Sequence, residues 1–119
     1  QVVVYSSEME NLKELFEIKL GVRLALDQEF DFGQGKIRMM FFRIGGVTIE
    51  IVEDTKINKN SYSGIGWHCD SVSLNHKRLS KRGFNISPIR KGRKEGTLVS
   101  TIKDEPFSVP TIIIGPDKE

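Results

Sequence analysis

47-VTIEIVED-54 and 110-PTIIIGPD-117 lie 63 residues apart and echo each other. Thr48 aligns with Thr111, Ile49 with Ile112, Ile51 with Ile114 and Asp54 with Asp117, with Val47 and Pro110 paired more loosely; each segment closes half of the chain. A repeat of that period in 119 residues predicts two copies of one supersecondary unit with a cleft between them. One position breaks the echo in a telling way: Glu50 stands opposite Ile113.

Outward from these segments, the punctuation repeats as well. In the first half, 1-QVVVY-5 is rich in β-formers, and Ser6-Ser7-Glu8 supplies a helix start. Met9, Leu12, Leu15, Phe16 and Leu20 follow at helical spacing, and Gly21 ends the helix in the left-handed region. Residues 22–30, 36–43 and 47–53 read as antiparallel strands, separated by the turn residues 31–35 and by Gly45-Gly46. A polar stretch, 54-DTKINKNSYS-63, reads as a linker. The second half then predicts a strand at 64–69 and a helix capped by Asp70 or Ser71, carrying Val72, Leu74 and Leu79 and stopped by Gly83. Strands near 84–89, 97–103 and 109–114 complete it. The predicted class is α+β: a single domain over 1–119 of two βαβββ repeats, 1–53 and 64–114, with linker 54–63. Helices lie outside curved mixed sheets.

Alternation along a strand assigns side chains to faces. Val47, Ile49 and Ile51 form one set, the natural cover for a helix, and Thr48, Glu50 and Val52 the other. In 64–69, Ile65, Trp67 and Cys69 are the apolar set, leaving Gly64, Gly66 and His68 on the opposite face. Gln1, Tyr5, Thr48, Glu50, His68 and Thr111 are thus the expected lining of the concave side, and Trp67 and Ile49 are expected away from it.

Composition narrows the classes of function. A chain of this size buries roughly 65% of its unfolded surface and needs no covalent staples. Net charge is only +2, but the stretch from His76 to Lys94 holds eight Lys and Arg and no acid. That run reads first as a solvated helix face with a basic loop, Arg90–Lys94, and second as a seat for a carboxylate or phosphate. Phe84 is its one Phe, Tyr or Trp, too few for a base-stacking platform, which argues against nucleic acid. No apolar run approaches the ~20 residues of a membrane span. The single Cys69 forms no internal disulfide and no signal-peptide pattern opens the chain, so the expected compartment is the cytoplasm. Cys69 and His68 alternate to opposite faces, so they do not make a nucleophile and base pair. Gly33-Gln34-Gly35 precedes a strand and reads as a turn rather than a phosphate cradle.

On 1-QVVVYSS-7, 15-LFEIKLGVRL-24, 46-GVTIEIVED-54, 64-GIGWHCDSV-72 and 79-LSKRG-83, the chain resembles the vicinal oxygen chelate superfamily over essentially its whole length. That superfamily includes glyoxalase I, methylmalonyl-CoA epimerase, extradiol dioxygenases and the fosfomycin- and bleomycin-resistance proteins. Metal-dependent members place one ligand on the first and one on the fourth strand of each half, holding a divalent ion against two adjacent substrate oxygens. The 63-residue period carries those positions onto Gln1, Glu50, Gly64 and Ile113. Gln1 and Glu50 have donors; Gly64 and Ile113 have none. His68 is a third metal candidate, four residues beyond Gly64, or roughly 13 Å along a strand.

The resemblance therefore implies a homodimeric small-molecule binder of the glyoxalase/bleomycin-resistance kind. Its cleft takes a small ligand, anionic if the basic loop Arg90–Lys94 serves it, against Gln1, Tyr5, Thr48, Glu50, His68 and Thr111, with Glu50 a candidate general base. No resident organic cofactor is expected, and at most a weakly held zinc, nickel, magnesium or manganese ion. Two other classes stand beside it: a metal-dependent lyase, isomerase or epimerase of the glyoxalase I type, and a non-catalytic dimeric module.

Overall fold

A computed structural model describes residues 1–31 and 33–116. Phe32 in the first hairpin and Asp117, the last pair of the echo, lie outside the described residues. The chain forms two compact units, 1–63 and 64–119.

In the first unit, β1 (Val2–Ser6) leads into α1 (Met9–Lys13), which continues as a π-helical segment, Glu14–Lys19. β2 (Arg23–Asp31), β3 (Lys36–Ile44) and β4 (Val47–Glu53) follow. They order as β2-β3-β4-β1, with β1 parallel to β4 and the other neighbours antiparallel. Val47, Ile49 and Ile51 alternate with polar residues as a one-sided strand demands, and Ile51 with Met40 and Phe42 is wholly buried beneath Met9 and Leu12 of the helix. Ile49 packs against the same cluster. Each sheet thus has a helix face, the side its helix covers, and a non-helix face.

The helix departs from its expected form. Its spacing predicts one α-helix to Leu20, but Leu20 N–H donates to the Leu15 carbonyl at 2.9 Å and Val22 N–H to Phe16 at 2.8 Å, opening the last turn to a wider ring. Phe16 packs its ring 5.2 Å from Phe42, while Leu15, Ile18 and Leu20 remain exposed. Ser6 is no N-cap; its Oγ accepts from Glu8 N–H at 2.9 Å and donates to Asn60 Oδ1 at 2.6 Å. α1 is instead pinned by Arg38 on β3, which bonds Asp27 on β2 through Nε and Nη2 (2.9 and 2.8 Å) and Glu10 of the helix at 2.6 Å. Those bonds hold the Asp27 carboxyl below its ordinary range, against a smaller opposing effect of burial.

The second unit repeats the plan. β5 (Ser61–His68), α2 (Val72–Lys81), β6 (Arg90–Lys91), β7 (Thr97–Ile102) and β8 (Thr111–Pro116) order as β5-β8-β7-β6, again with the first strand parallel to the fourth. Ser71 caps α2, its Oγ accepting from Leu74 N–H at 3.1 Å, and Gly83 takes φ +89° beyond the helix end. Val72, Ile102 and Ile113 form the core, with Leu79, Ile86, Ile89 and Leu98 packed against them.

Two expectations shift here. Residues 61–63 belong to β5 rather than to the linker, and the strand expected at 84–89 is a single bridge, Ile86 to Ile102, ahead of the two-residue β6. Pro88 has no N–H to give a ladder. Ser87 moreover enters the pairing with its side chain, its Oγ accepting from Thr101 N–H at 2.8 Å. Among the described residues, no helix is long and apolar enough to cross a membrane.

Candidate functional site

Pairing in the first unit brings most of the expected lining together. Val3 lies beside Glu50 and Tyr5 beside Val52 across the parallel β1–β4 ladder, while Phe41 and Met39 flank the same two residues from β3. Neighbouring partners share a face, so Val3, Tyr5, Met39, Phe41, Glu50 and Val52 occupy the side away from the helix. Gln1, just ahead of β1, has the parity of Val3, and Thr48 that of Glu50. Glu50 is 2% exposed, between the apolar side chains of Val3 and Phe41. Phe41 in turn takes an edge contact from Phe30 at 6.3 Å between centroids. Tyr5 is exposed, and Thr48 Oγ1 accepts a hydrogen bond from Arg43.

This arrangement has a cost that packing does not explain. Placing a carboxylate between apolar neighbours such as Val3 and Phe41 costs several kcal/mol unless polar groups meet it. Glu50 is not without a partner in the folded chain. Chemically it is an acceptor, and a base for a proton brought within hydrogen-bond reach.

In the second unit the expected list needs correction. His68 does fall on the non-helix face with Gly64 and Gly66, at the exposed end of β5 opposite Ile114. Thr111 does not. It pairs with Ile65 on β5 and Ile102 on β7, and it shares its face with Ile113, which packs into the core under Val72. Thr111 is 3% exposed, and its hydroxyl donates to the Val109 carbonyl at 2.8 Å. The face opposite the helix carries Ile112 and Ile114 instead. By pairing, Glu50 beside Val3 corresponds to Ile112 beside Gly66, a period of 62 rather than 63. One residue of slip exchanges every side chain between faces, so Ile113 is a core residue and not the counterpart of Glu50. Trp67 sits on the Ile113 side as expected, yet it is 62% exposed.

The donor set of the fold's divalent-ion site does not fit this chain. Gly64 is hemmed in: a Cβ there would lie 2.5 Å from the Pro110 carbonyl oxygen and 3.1 Å from its Cβ. No donor side chain enters without displacing backbone. Ile112, the fourth-strand position set by pairing, has no donor, and neither has Ile113. Gln1 and Glu50 alone remain, and His68 lies at the far end of β5 from Gly64. Among the described residues, no three of His, Cys, Asp and Glu cluster as a metal site. Burial raises the pKa of the Cys69 thiol, more than its bonds with Asn75 and Ser71 lower it, which disfavours the thiolate a nucleophile needs.

One residue stands apart from the expected lining. Arg90, expected in a loop, lies on β6 opposite Val99, on the non-helix face. Its Nη1 donates to Ser87 Oγ at 3.1 Å and its Nη2 to Thr101 Oγ1 at 2.9 Å. The basic run drew attention to this region, but nothing in it singled out Arg90 from Lys91, Arg93 and Lys94.

Against solved structures, the chain superposes on methylmalonyl-CoA epimerase from Mycobacterium tuberculosis with a TM-score of 0.77 and 14% identity, covering 98% of this chain and 86% of that one. A variant of the Streptomyces coelicolor methylmalonyl-CoA epimerase, in complex with 2-nitronate-propionyl-CoA, matches at 0.76 and 12%, over 98% and 95%. A hypothetical protein from Bacillus halodurans C-125 matches at 0.76 and 12%, over 99% and 93%. The chain therefore has the vicinal-oxygen-chelate fold of the glyoxalase/bleomycin-resistance type, as its sequence predicts. No family model matches the sequence, and no curated protein sequence matches it.

Proposed function

We propose that the chain binds a small organic molecule against the non-helix face of its first sheet, with Glu50 as the principal acceptor and without a four-donor metal centre. The observation that carries this reading is the buried carboxylate of Glu50 between Val3 and Phe41. A carboxylate kept where an aliphatic residue would pack is a group retained for what it binds. Tyr5 and Gln1 add a hydroxyl and an amide on the same face. Binding without a metal parallels the antibiotic-sequestering proteins that this chain resembles.

A second reading has its own support. The fold is that of methylmalonyl-CoA epimerases, and Glu50 is a base on the fourth strand, where it would remove a proton next to a carbonyl. The two readings part experimentally. Wild type and Glu50→Gln are incubated in deuterium oxide with methylmalonyl-CoA, and exchange at the α-carbon is followed by proton NMR. Exchange lost in Glu50→Gln establishes the epimerase reading; no exchange by wild type leaves simple binding. For the binding reading, a panel of small polar metabolites is screened by thermal shift. We expect compounds that raise the melting temperature of wild type but not of Glu50→Gln. Metal loading with nickel, zinc and manganese, then desalting and elemental analysis, is expected to leave well under one ion per chain. A stoichiometric ion abolished by Glu50→Gln would overturn the metal-free account.

A further inference from the structure

The pairing of the second sheet sets His68, Ile114, Val99 and Arg90 in one row across β5, β8, β7 and β6. All four share the non-helix face. The adjacent row holds Gly66, Ile112 and Thr101. The face is an aliphatic floor between two hydrogen-bonding posts, His68 and Arg90, whose Cα atoms stand about 14 Å apart across three strand spacings. No acidic residue has this parity on any of the four strands.

Arg90 is held in an unusual way. Its two terminal nitrogens each donate to a neutral hydroxyl, Ser87 Oγ and Thr101 Oγ1, and among the described residues no carboxylate pairs with it. Arg38 in the first unit shows the contrast, its guanidinium consumed by Asp27 and Glu10. A guanidinium has five N–H donors. Two are taken up in fixing the orientation of Arg90, and three remain with an undiminished positive charge. Ser87 is itself fixed, its Oγ accepting from Thr101 N–H at 2.8 Å and its carbonyl from Ser100 Oγ at 2.6 Å. The guanidinium is therefore oriented by two hydroxyls although the arginine is exposed.

We infer that Arg90 is the anchor for a small organic carboxylate whose aliphatic body lies on Ile114 and Ile112, the half-buried residues of this face. A planar carboxylate matches the guanidinium fork, and the floor beside it offers apolar surface to the body of the ligand. Thr101 is the positioning residue. The inference rests on the reading that the non-helix faces receive the ligand. It is independent of Glu50, because every residue it uses belongs to the second unit.

The test is titration of the isotope-labelled 119-residue chain with sodium butanoate at constant ionic strength, following the Arg90 Nε–H and the backbone amides by NMR. Saturable shifts are expected at Arg90, Thr101 and Ile112. Arg90→Gln should weaken binding about tenfold or more. Thr101→Val keeps the charge and frees its direction, so a loss of roughly threefold is expected. Lys77→Gln, which removes the same charge from exposed helix surface, should leave the affinity unchanged. Equal weakening by Lys77→Gln, or the absence of a saturable shift at Arg90, would sink the proposal. Inorganic phosphate displacing butanoate at equal affinity would overturn the assignment of a carboxylate with an aliphatic body. Failure of the Glu50 reading would show instead in the thermal-shift screen, with these titrations unaffected.

Discussion

Replacing Gly64 by alanine tests why the second half carries no ligand on its first strand. The new Cβ would stand 2.5 Å from the Pro110 carbonyl oxygen, 3.1 Å from the Pro110 Cβ and 3.2 Å from its carbonyl carbon. Two of those three atoms are backbone and the third belongs to a rigid ring, so no side-chain rotation relieves the contact. Ordinary van der Waals contact begins near 3.4 Å, and reaching it parts the strands by about 0.9 Å. The bond from Ile65 N–H to that same oxygen, now 3.0 Å, is lost in the process. Overpacking costs about 1–3 kcal/mol and the missing hydrogen bond about 1 kcal/mol, so the expected destabilisation is about 2–4 kcal/mol. For a domain of this length that corresponds to a fall in melting temperature of about 8–15 °C. Urea unfolding should show the midpoint lowered by about 1–2 M with unchanged slope. Gly46→Ala is the control: nothing lies within 4 Å of its added Cβ, and its φ is not positive, so it should stay within about 1 kcal/mol of wild type. A Gly64→Ala protein as stable as wild type would refute the steric argument. The position would then be open to a metal-binding side chain.

Two further outcomes follow from the packing of the helices. Asp27 is held below its ordinary value near 3.8, chiefly by its bonds from Arg38, so the folded chain binds fewer protons there than the unfolded one. The stability it adds is present above about pH 4 and lost as the pH falls through the lowered value. Asp27→Asn should therefore flatten the acid limb of a stability–pH curve and cost about 1–3 kcal/mol at neutral pH; an unaltered acid limb would contradict the pairing. Ser71→Ala removes the cap of α2 and should cost about 1 kcal/mol in chemical denaturation, whereas Ser7→Ala, at a position expected but not found to cap, should be close to neutral.

Much of the first unit was legible in the sequence because its alternation is clean. VTIEIVE names its own faces, and Glu50 is legible on the side away from Ile49 and Ile51. The tight Gly45-Gly46 hairpin leaves the register between β3 and β4 no freedom, Ile44 meeting Val47 directly. The second unit was harder for a physical reason. Its last strand reads PTIIIGP, apolar on both parities, so periodicity cannot say which isoleucines face the helix. The matching Thr-Ile then drew the alignment one residue out of phase. The long connection before β8, with a short 3₁₀ turn at Pro106–Ser108, leaves room for that slip. Arg90 was hidden for another reason: its distinction lies in Ser87 and Thr101, three and eleven residues away, and in a two-residue strand that propensity alone does not mark.

The slip in β8 bears on how this chain tolerates change. Where its two halves look most alike, at Thr48-Ile49 and Thr111-Ile112, physical selection runs in counterphase. Ile49 is held by the core and Thr48 is not, whereas Thr111 is enclosed and Ile112 is half open. Copying the residues of one strand onto the other would preserve the letters and invert their surroundings. The positions that pairing makes equivalent keep the core residue, Ile51 matching Ile113, and differ on the other face, where Glu50 answers to Ile112.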